Sequence, residues 1–167
     1  MFLFAQAAAG TVDDVLGFGT GLSADRIWLL QPGGDSAYVT IGANGVVLSY
    51  ATAGGQAAQV RLNGVALADL SFYDNLLGVR TVDFSRMGAG VSIKLDSLTT
   101  RAADGYLHTG NLTGSSYDDV LLGDSQNNVI QGGARATTAL RGELATTRWT
   151  AVRASTPSTI PARAPAW

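Results

Sequence analysis

The sequence contains no cysteine and only one histidine. The missing thiols exclude a disulfide framework and a thiolate metal site. A HExxH zinc motif is excluded as well, because it needs two histidines. The single His108 is predicted to be a repeat-turn or surface residue. Because no nucleophile elbow or phosphate-binding loop is present either, we predict a protein without catalytic residues or an organic cofactor, and not an enzyme.

Charge and long apolar runs are also scarce. Charged residues make up 14% of the 167 residues, the net charge is −2, and no basic face precedes residue 135, so nucleic acid is not a predicted partner. No apolar run approaches the length of a membrane span. The opening MFLFAQAAAG lacks the basic region of a secretory signal. The 46% hydrophobic content still allows the core of one domain.

Glycine is abundant, with 21 residues, and part of it is periodic. In the stretch 111–133, NLTGSSYDDVLLGDSQNNVIQGG, an apolar residue recurs every nine positions and a glycine follows it two positions later. The apolar residues are Leu112, Leu121 and Ile130, and the glycines are Gly114, Gly123 and Gly132. Asp119 and Asn128 hold equivalent places. A period of this length with this composition is typical of the calcium-binding nonapeptide repeat.

The chemistry of calcium explains this spacing. The ion takes about six to eight oxygen ligands from carboxylates and carbonyls. A glycine-rich turn exposes several carbonyls, because glycine adopts backbone conformations closed to other residues. The short strand after each turn directs its apolar side chain into a thin core. The pattern therefore predicts calcium binding, and the alternative is an ordinary pair of β-turns joined by short apolar strands.

The passages NLTGSSYDDVLLGD and NNVIQGG resemble the RTX (repeats-in-toxin, haemolysin-type calcium-binding) family. The resemblance covers residues 105–133 well and 12–104 loosely. It implies a parallel β-roll whose turns alternate between two edges, with calcium between turns on one edge. It also implies a secreted, extracellular bacterial-type protein, exported in its parent form by a C-terminal signal, that folds when it meets calcium. The segments VDFS and GVSIKL, within residues 82–95, are expected to form a strand pair covering the first open edge of the repeats.

The resemblance also implies the calcium ligands. Asp119 would be the main carboxylate, Asp118, Asp124 and Asn128 would be accessory, and the carbonyls would come from Gly114, Ser116, Gly132 and Gly133. The turn 114–119 is expected to share ions with the turn 132–137, where Thr137 replaces the acidic residue. The turn 123–128 is expected to face the segment GYLHTG, residues 105–110. Each site then has about one formal carboxylate, which predicts affinity at or beyond the millimolar end of the known range.

The preceding residues, 1–104, are predicted to be a β-rich leader of short strands broken by glycine. Asn44-Gly45 is a strong hairpin signal, and Asn63-Gly64 predicts a further turn. The adjacent Asp13 and Asp14 are predicted to be surface residues on opposite faces of a strand.

Four aromatic residues of the leader are expected in the core or on a sheet face: Trp28, Tyr38, Phe72 and Tyr73. A carbohydrate-binding or adhesin module in 12–100, with Trp28 in its platform, is the alternative. Another is a non-catalytic fragment of an RTX protease, lipase or epimerase. Partner proteins and glycans stay open.

The composition changes at residue 134. Residues 134–167 are rich in Ala, Arg, Thr and Pro, with five arginines and one acidic residue, and are predicted to be disordered. The predicted fold is therefore all-β: leader 1–104, the start of a calcium-binding β-roll in 105–133, and a disordered tail. A sharper hypothesis is that the tail is an out-of-frame translation of further repeats, which would make the chain a truncated fragment.

The nucleotide sequence of the gene tests this hypothesis. If each codon is formed from the last base of one codon and the first two of the next, residues 145–154 permit the peptide GNDTLDGGAG. We expect tandem GGxGxD words in that shifted frame. A shifted frame without them contradicts the hypothesis.

Overall fold

The computed structural model describes residues 2–5, 12–20, 25–30, 32–95, 107–124, 127–133, 139–141 and 148–151. Within these ranges strands dominate, and the predicted all-β class is confirmed. The strands are β1 (Phe2–Ala5), β2 (Val12–Val15), β3 (Ile27–Leu30), β4 (Pro32–Gly42), β5 (Gly45–Thr52), β6 (Ala57–Asn63), β7 (Leu76–Leu77), β8 (Thr81–Asp83), β9 (Ser92–Lys94), β10 (Asn111–Thr113), β11 (Val120–Leu122), β12 (Val129–Gly132), β13 (Ala139–Arg141) and β14 (Arg148–Ala151).

Helical structure in the described residues is limited to a 3-10 turn, Leu67–Asp69, and a four-residue helix α1, Phe72–Asn75. The Ser71 side chain caps α1 by accepting a hydrogen bond from the backbone N–H of Asp74. Neither of these helices could cross a membrane, since neither has the length or the apolar character that a span requires.

The leader is built on an antiparallel meander of β4, β5 and β6. The hairpin predicted at Asn44-Gly45 is confirmed, with Ala43 and Asn44 joining the paired residues Gly42 and Gly45. Gly45 has a φ of 145°, and a side chain there would overlap the carbonyl oxygen of Leu62. Glycine is therefore required at the start of β5.

The strands from β8 onward form two parallel ladders. One contains β8, β10, β12 and β14, and the other contains β9, β11 and β13. Consecutive strands along the chain alternate between the ladders. Leu112 is in register with Ile130 in the first ladder, and Leu121 with Ile93 in the second. Leu112, Leu121 and Ile130 are fully buried, so the side chains predicted to point into the core do so.

The leader shares a sheet with the first of the two ladders and a core with both. β4 pairs with β8 in parallel, which joins the meander to the first ladder in an eight-stranded sheet that runs from β2 to β14. A single cluster of buried apolar side chains extends from Val15 to Ile130. Both strands predicted in 82–95 are present and lie beside the first repeat strands, β8 on β10 and β9 on β11, but they belong to different sheets and do not pair with each other. The sheet thus continues across the predicted boundary at residue 104.

The aromatic side chains follow the sequence prediction where they are described. Phe72 is buried and packs edge-to-face on Phe84, with ring centroids 5.5 Å apart. Tyr38 lies on the sheet face beneath the guanidinium of Arg86, 3.7 Å from the ring centroid. Trp28 is half-buried. The side chain of Tyr73 lies outside the described residues.

Two strands, β13 and β14, lie within the segment 134–167 that was predicted to be disordered. Leu140 is in register with Leu121, and Trp149 with Ile130. The apolar spacing lengthens to ten residues between Ile130 and Leu140 and returns to nine at Trp149. At these two segments the chain forms strands rather than the predicted tail, because a parallel ladder is held by backbone hydrogen bonds and needs no Gly/Asp pattern. The rest of 134–167 lies outside the described residues, and the reading-frame hypothesis stays a prediction.

In the core beneath the meander, the hydroxyl of Tyr50 in β5 is buried. Tyr50 is 4% exposed, and its hydroxyl has no hydrogen-bond partner among the described residues. Burial and, second, the negative charge of Asp13 raise the pKa of Tyr50. A raised folded-state pKa stabilises the fold below the unfolded value of about 10, and this contribution is lost as the pH rises through the folded value.

We expect Tyr50→Phe to raise the free energy of unfolding by about 1 kcal/mol at neutral pH, because an unsatisfied buried hydroxyl is removed. The variant should also lose less stability than the parent as the pH rises above about 10, because the group whose pKa is higher in the folded than in the unfolded state is gone. Urea denaturation across this range checks both effects, with Tyr38→Phe as the matched surface control. A less stable Y50F protein at neutral pH, or an unchanged alkaline loss, contradicts the assignment.

Candidate metal site in the stacked turns

The turns of the two ladders stack because the strands are parallel: the ends of neighbouring strands meet at the same edge of the sheet. The turns that follow β8, β10 and β12 therefore adjoin one another. We call this side the first edge; its described residues are 84–91, 114–119 and 133. The turns that follow β9 and β11 form the second edge, described at 107–110, 123–124 and 127–128.

Asp119 occupies the centre of the first edge. It is 1% exposed, and its Oδ1 accepts hydrogen bonds from Ser115 Oγ at 2.7 Å and from the backbone N–H of Val91 at 2.9 Å. Ser115 belongs to the same turn and Val91 to the preceding one. The Oδ2 atom lies where a side chain of Gly114 would be, and it has no hydrogen-bond partner among the described residues. One carboxylate thus ties two turns together and leaves one buried oxygen unpaired.

Glycines allow the turns of the first edge to approach one another closely. A side chain at Gly90 would overlap the carbonyl oxygen of Asp118, and one at Gly133 would overlap the carbonyl oxygen of Ser115. Two carbonyl oxygens of the turn 114–119 therefore lie against the neighbouring turns, one on each side. No residue with a Cβ atom fits at either glycine without a backbone shift.

Asn128 takes the equivalent position at the second edge. It is 1% exposed, and its Nδ2 donates hydrogen bonds to the carbonyl oxygen of Gly110 and to Asp124 Oδ1, each at 2.9 Å. Its Oδ1 lies where a side chain of Gly123 would be and is buried without a hydrogen-bond partner among the described residues. The contact with Gly110 places this turn beside the end of GYLHTG, as expected from the sequence.

The predicted ligand residues divide between the two edges. Gly114, Ser116, Asp118, Asp119, Gly132 and Gly133 belong to the first edge or the strand leading into it, and Asp124 and Asn128 belong to the second. Gly114, Asp119 and Asn128 are buried, whereas the Ser116 and Asp118 residues are exposed.

The following turn begins level with the turn 114–119, because Thr113 is in register with Gln131 and Gly114 therefore stands beside Gly132. Gly132 is the last residue of β12, and a side chain at Gly133 would overlap the carbonyl oxygen of Ser115. Thr137 lies outside the described residues. In the part of the chain that the structure describes, no group of three or more His, Cys, Asp or Glu side chains is placed to hold a metal, so an ion here would depend on backbone carbonyls.

Sequence reasoning missed three residues that hold the turns together: Ser115, Val91 and Gly110. A signal for the first was available, because Ser115 and Asp124 each stand four residues before Asp119 and Asn128. A polar residue at this place can hydrogen-bond the side chain that closes the turn. Val91 and Gly110 contribute only backbone atoms, which leave no trace in residue type.

The other candidates in the sequence do not join this site. His108 is half-buried and forms an isolated antiparallel bridge with Leu77. Asp14 is exposed and accepts hydrogen bonds from Arg61 at 3.1 Å and Asn63 at 3.0 Å, while its neighbour Asp13 is half-buried. Asp13 and Asp14 therefore differ in surroundings, as alternation along a strand predicts.

In comparisons with known proteins, no protein-family model matches the chain, and neither a curated protein nor a solved structure matches it.

Replacing Ser115 by alanine should lower the free energy of unfolding by about 1–3 kcal/mol, because the buried Asp119 carboxylate loses a donor. The same change removes the acceptor for the backbone N–H of Tyr117, 3.0 Å away. Urea denaturation in the presence of a chelator measures the effect. The matched control is Ser116→Ala, one residue further on and exposed, for which the change should stay within about 0.5 kcal/mol. Equal effects of the two substitutions contradict the role given to Ser115.

Proposed function

We propose that this protein is a non-catalytic calcium-binding module in which the stacked turns of the first edge hold the ion, as the resemblance to the RTX family implies. The observation that carries the proposal is Asp119 Oδ2, a buried carboxylate oxygen with no hydrogen-bond partner among the described residues. Burying such an oxygen is costly unless a donor or a cation meets it. A bound cation would remove that cost.

The surrounding atoms favour a hard cation. The chain has no cysteine and one histidine, so the soft ligands that select transition metals are scarce. The first edge offers the carboxylate of Asp119 and backbone carbonyls, and calcium accepts such a set in irregular geometry. Gly114, Ser116, Gly132 and Gly133 are the proposed carbonyl donors, with Asp118 accessory. Calcium would supply only charge compensation and a link between turns, and no reaction is assigned to it.

The strand topology also supports the proposal. Consecutive strands from β8 onward alternate between two parallel ladders, as the proposed β-roll requires. Turns that are two nine-residue periods apart, such as those that begin at Gly114 and Gly132, therefore meet at the same edge. A metal between such turns would add to the backbone contacts that already join them.

A weak affinity follows from the charge count. With a single buried carboxylate at the first edge, the expected dissociation constant is about 10⁻³ M or weaker, at the weak end of the range of extracellular calcium modules. At a calcium concentration of about ten times that constant, binding would stabilise the folded state by about 1.4 kcal/mol. We therefore propose that the module works outside the cell, in a secreted protein that gains stability on meeting calcium.

Calorimetric titration of the full chain with calcium chloride tests the proposal. We expect saturable binding below about 10 mM and a rise in the unfolding temperature that is absent in Asp119→Asn, since this variant keeps the side-chain shape but loses the charge. The control, Asp69→Asn, removes an equal charge at an exposed position in the 3-10 turn and should leave the response intact.

Two results contradict the proposal. One is a wild-type chain that shows neither heat of binding nor a shift in unfolding temperature. The other is a calcium response that D119N and D69N retain equally, which would mean that the ion binds elsewhere. A parallel titration with magnesium chloride should give a weaker response, because magnesium demands octahedral geometry and keeps its water ligands.

A further inference from the structure

At each edge a buried polar side chain hydrogen-bonds the backbone of the preceding turn, but it accepts at the first edge and donates at the second. At the first edge, Asp119 accepts from the Ser115 hydroxyl in its own turn and from a backbone N–H of the preceding turn. At the second edge, Asn128 donates to the Asp124 carboxylate in its own turn and to a backbone carbonyl of the preceding turn. In both turns the partner residue stands four positions earlier. The two turns are therefore built alike with donors and acceptors exchanged.

We propose that Asn128 and Asp124 form an amide clamp that locks the second edge without an ion, so that calcium acts on the first edge alone. The part of this inference that concerns calcium rests on the proposed function. The clamp itself rests only on the hydrogen bonds of Asn128. It makes Asn128 a specificity-determining residue, because the choice between amide and carboxylate at this position decides whether an edge needs a cation.

The amide is required by the atoms that face it. Both N–H groups of Asn128 Nδ2 have acceptors, namely the Gly110 carbonyl oxygen and Asp124 Oδ1. A carboxylate of the same shape would bring a third oxygen against these two, with no proton to share. Three converging oxygens, two of them carrying negative charge, repel one another unless a cation enters or one carboxylate takes up a proton.

The unpaired side-chain oxygen at each edge also indicates that the first edge needs a cation and the second does not. Asn128 Oδ1 and Asp119 Oδ2 are both buried, lie over equivalent glycines and have no hydrogen-bond partner among the described residues. The amide oxygen is neutral, whereas the carboxylate oxygen carries charge and is much more costly to bury unpaired. The second edge therefore stays closed without an ion, and the first edge gains most from one.

The experiment compares the full wild-type chain with two variants. Asn128→Asp replaces the two donors with acceptors and adds one negative charge. The double variant Asp124→Ser with Asn128→Asp copies the Ser115–Asp119 pair of the first edge and leaves the net charge unchanged. For each protein, the unfolding temperature is measured in a chelator and in calcium chloride, and the number of ions bound is measured by titration calorimetry.

We expect N128D to unfold several degrees below wild type in chelator and to recover most of that loss in calcium, with more calcium bound per chain than in wild type. The double variant should unfold above N128D in chelator, because the introduced hydroxyl is a donor, and should also bind more calcium than wild type. A variant that fails to fold in chelator but folds in calcium also supports the clamp, because calcium then restores the stability that the amide provided. The shift in N128D is not a charge effect if the charge-neutral double variant shows the gained calcium response.

The outcomes separate the clamp from the proposed function. If wild type does not respond to calcium but N128D is destabilised in chelator and the double variant is less so, the proposed function fails and the clamp stands. If wild type responds and N128D is as stable as wild type in chelator, the clamp is overturned while the calcium site stands. A double variant that binds no more calcium than wild type also overturns the claim that the amide decides which edge takes the ion.

Discussion

The stack of turns depends on one constraint. Each of the turns 114–119 and 123–128 folds a short polar side chain back over its own first glycine, and a neighbouring turn packs directly against that turn. Gly114 and Gly123 make room for Asp119 and Asn128, and a Cβ atom at either glycine would overlap the polar side chain. That side chain then bonds the backbone of the preceding turn. Close backbone approach and side-chain bridging therefore require each other, which explains why glycine and a side-chain acceptor or donor recur with one period.

The leader supplies what a stack of short strands lacks, a wide surface on which to begin. Its meander is long, well paired and apolar on one face, and its strand β4 pairs in parallel with β8. The first repeat strands then continue a sheet that already exists, and their Leu112 and Leu121 side chains enter a core that already contains Val82 and Ile93. Stacked repeats need such a covered end for stability. The leader and the repeats are in this sense one cooperative structure, although their sequences look unrelated.

The sequence predicted those features that depend on local spacing. The nine-residue recurrence of Leu112, Leu121 and Ile130 located three short strands and their buried face, and Asn44-Gly45 located a hairpin. What it could not provide were partners fixed by which turn lies on which. Val91 and Gly110 act through backbone atoms, and the turn that each of them meets is decided by the register of the ladders. The donor–acceptor reversal at Asn128 is also invisible in the repeat pattern, where Asp and Asn count as equivalent.

Amide hydrogen exchange with and without calcium tests, residue by residue, whether an ion closes the first edge and an amide the second. The N–H groups of Val91 and Val120 report on the first edge, because one bonds Asp119 Oδ1 and the other bonds the Val91 carbonyl. The N–H of Val129, bonded to Asn111 Oδ1, follows the turn of the second edge. Calcium at saturating concentration should slow exchange at Val91 and Val120 about tenfold or more, while Val129 is already protected in chelator and changes little. Equal slowing at all three sites, or none at Val91, would contradict the account.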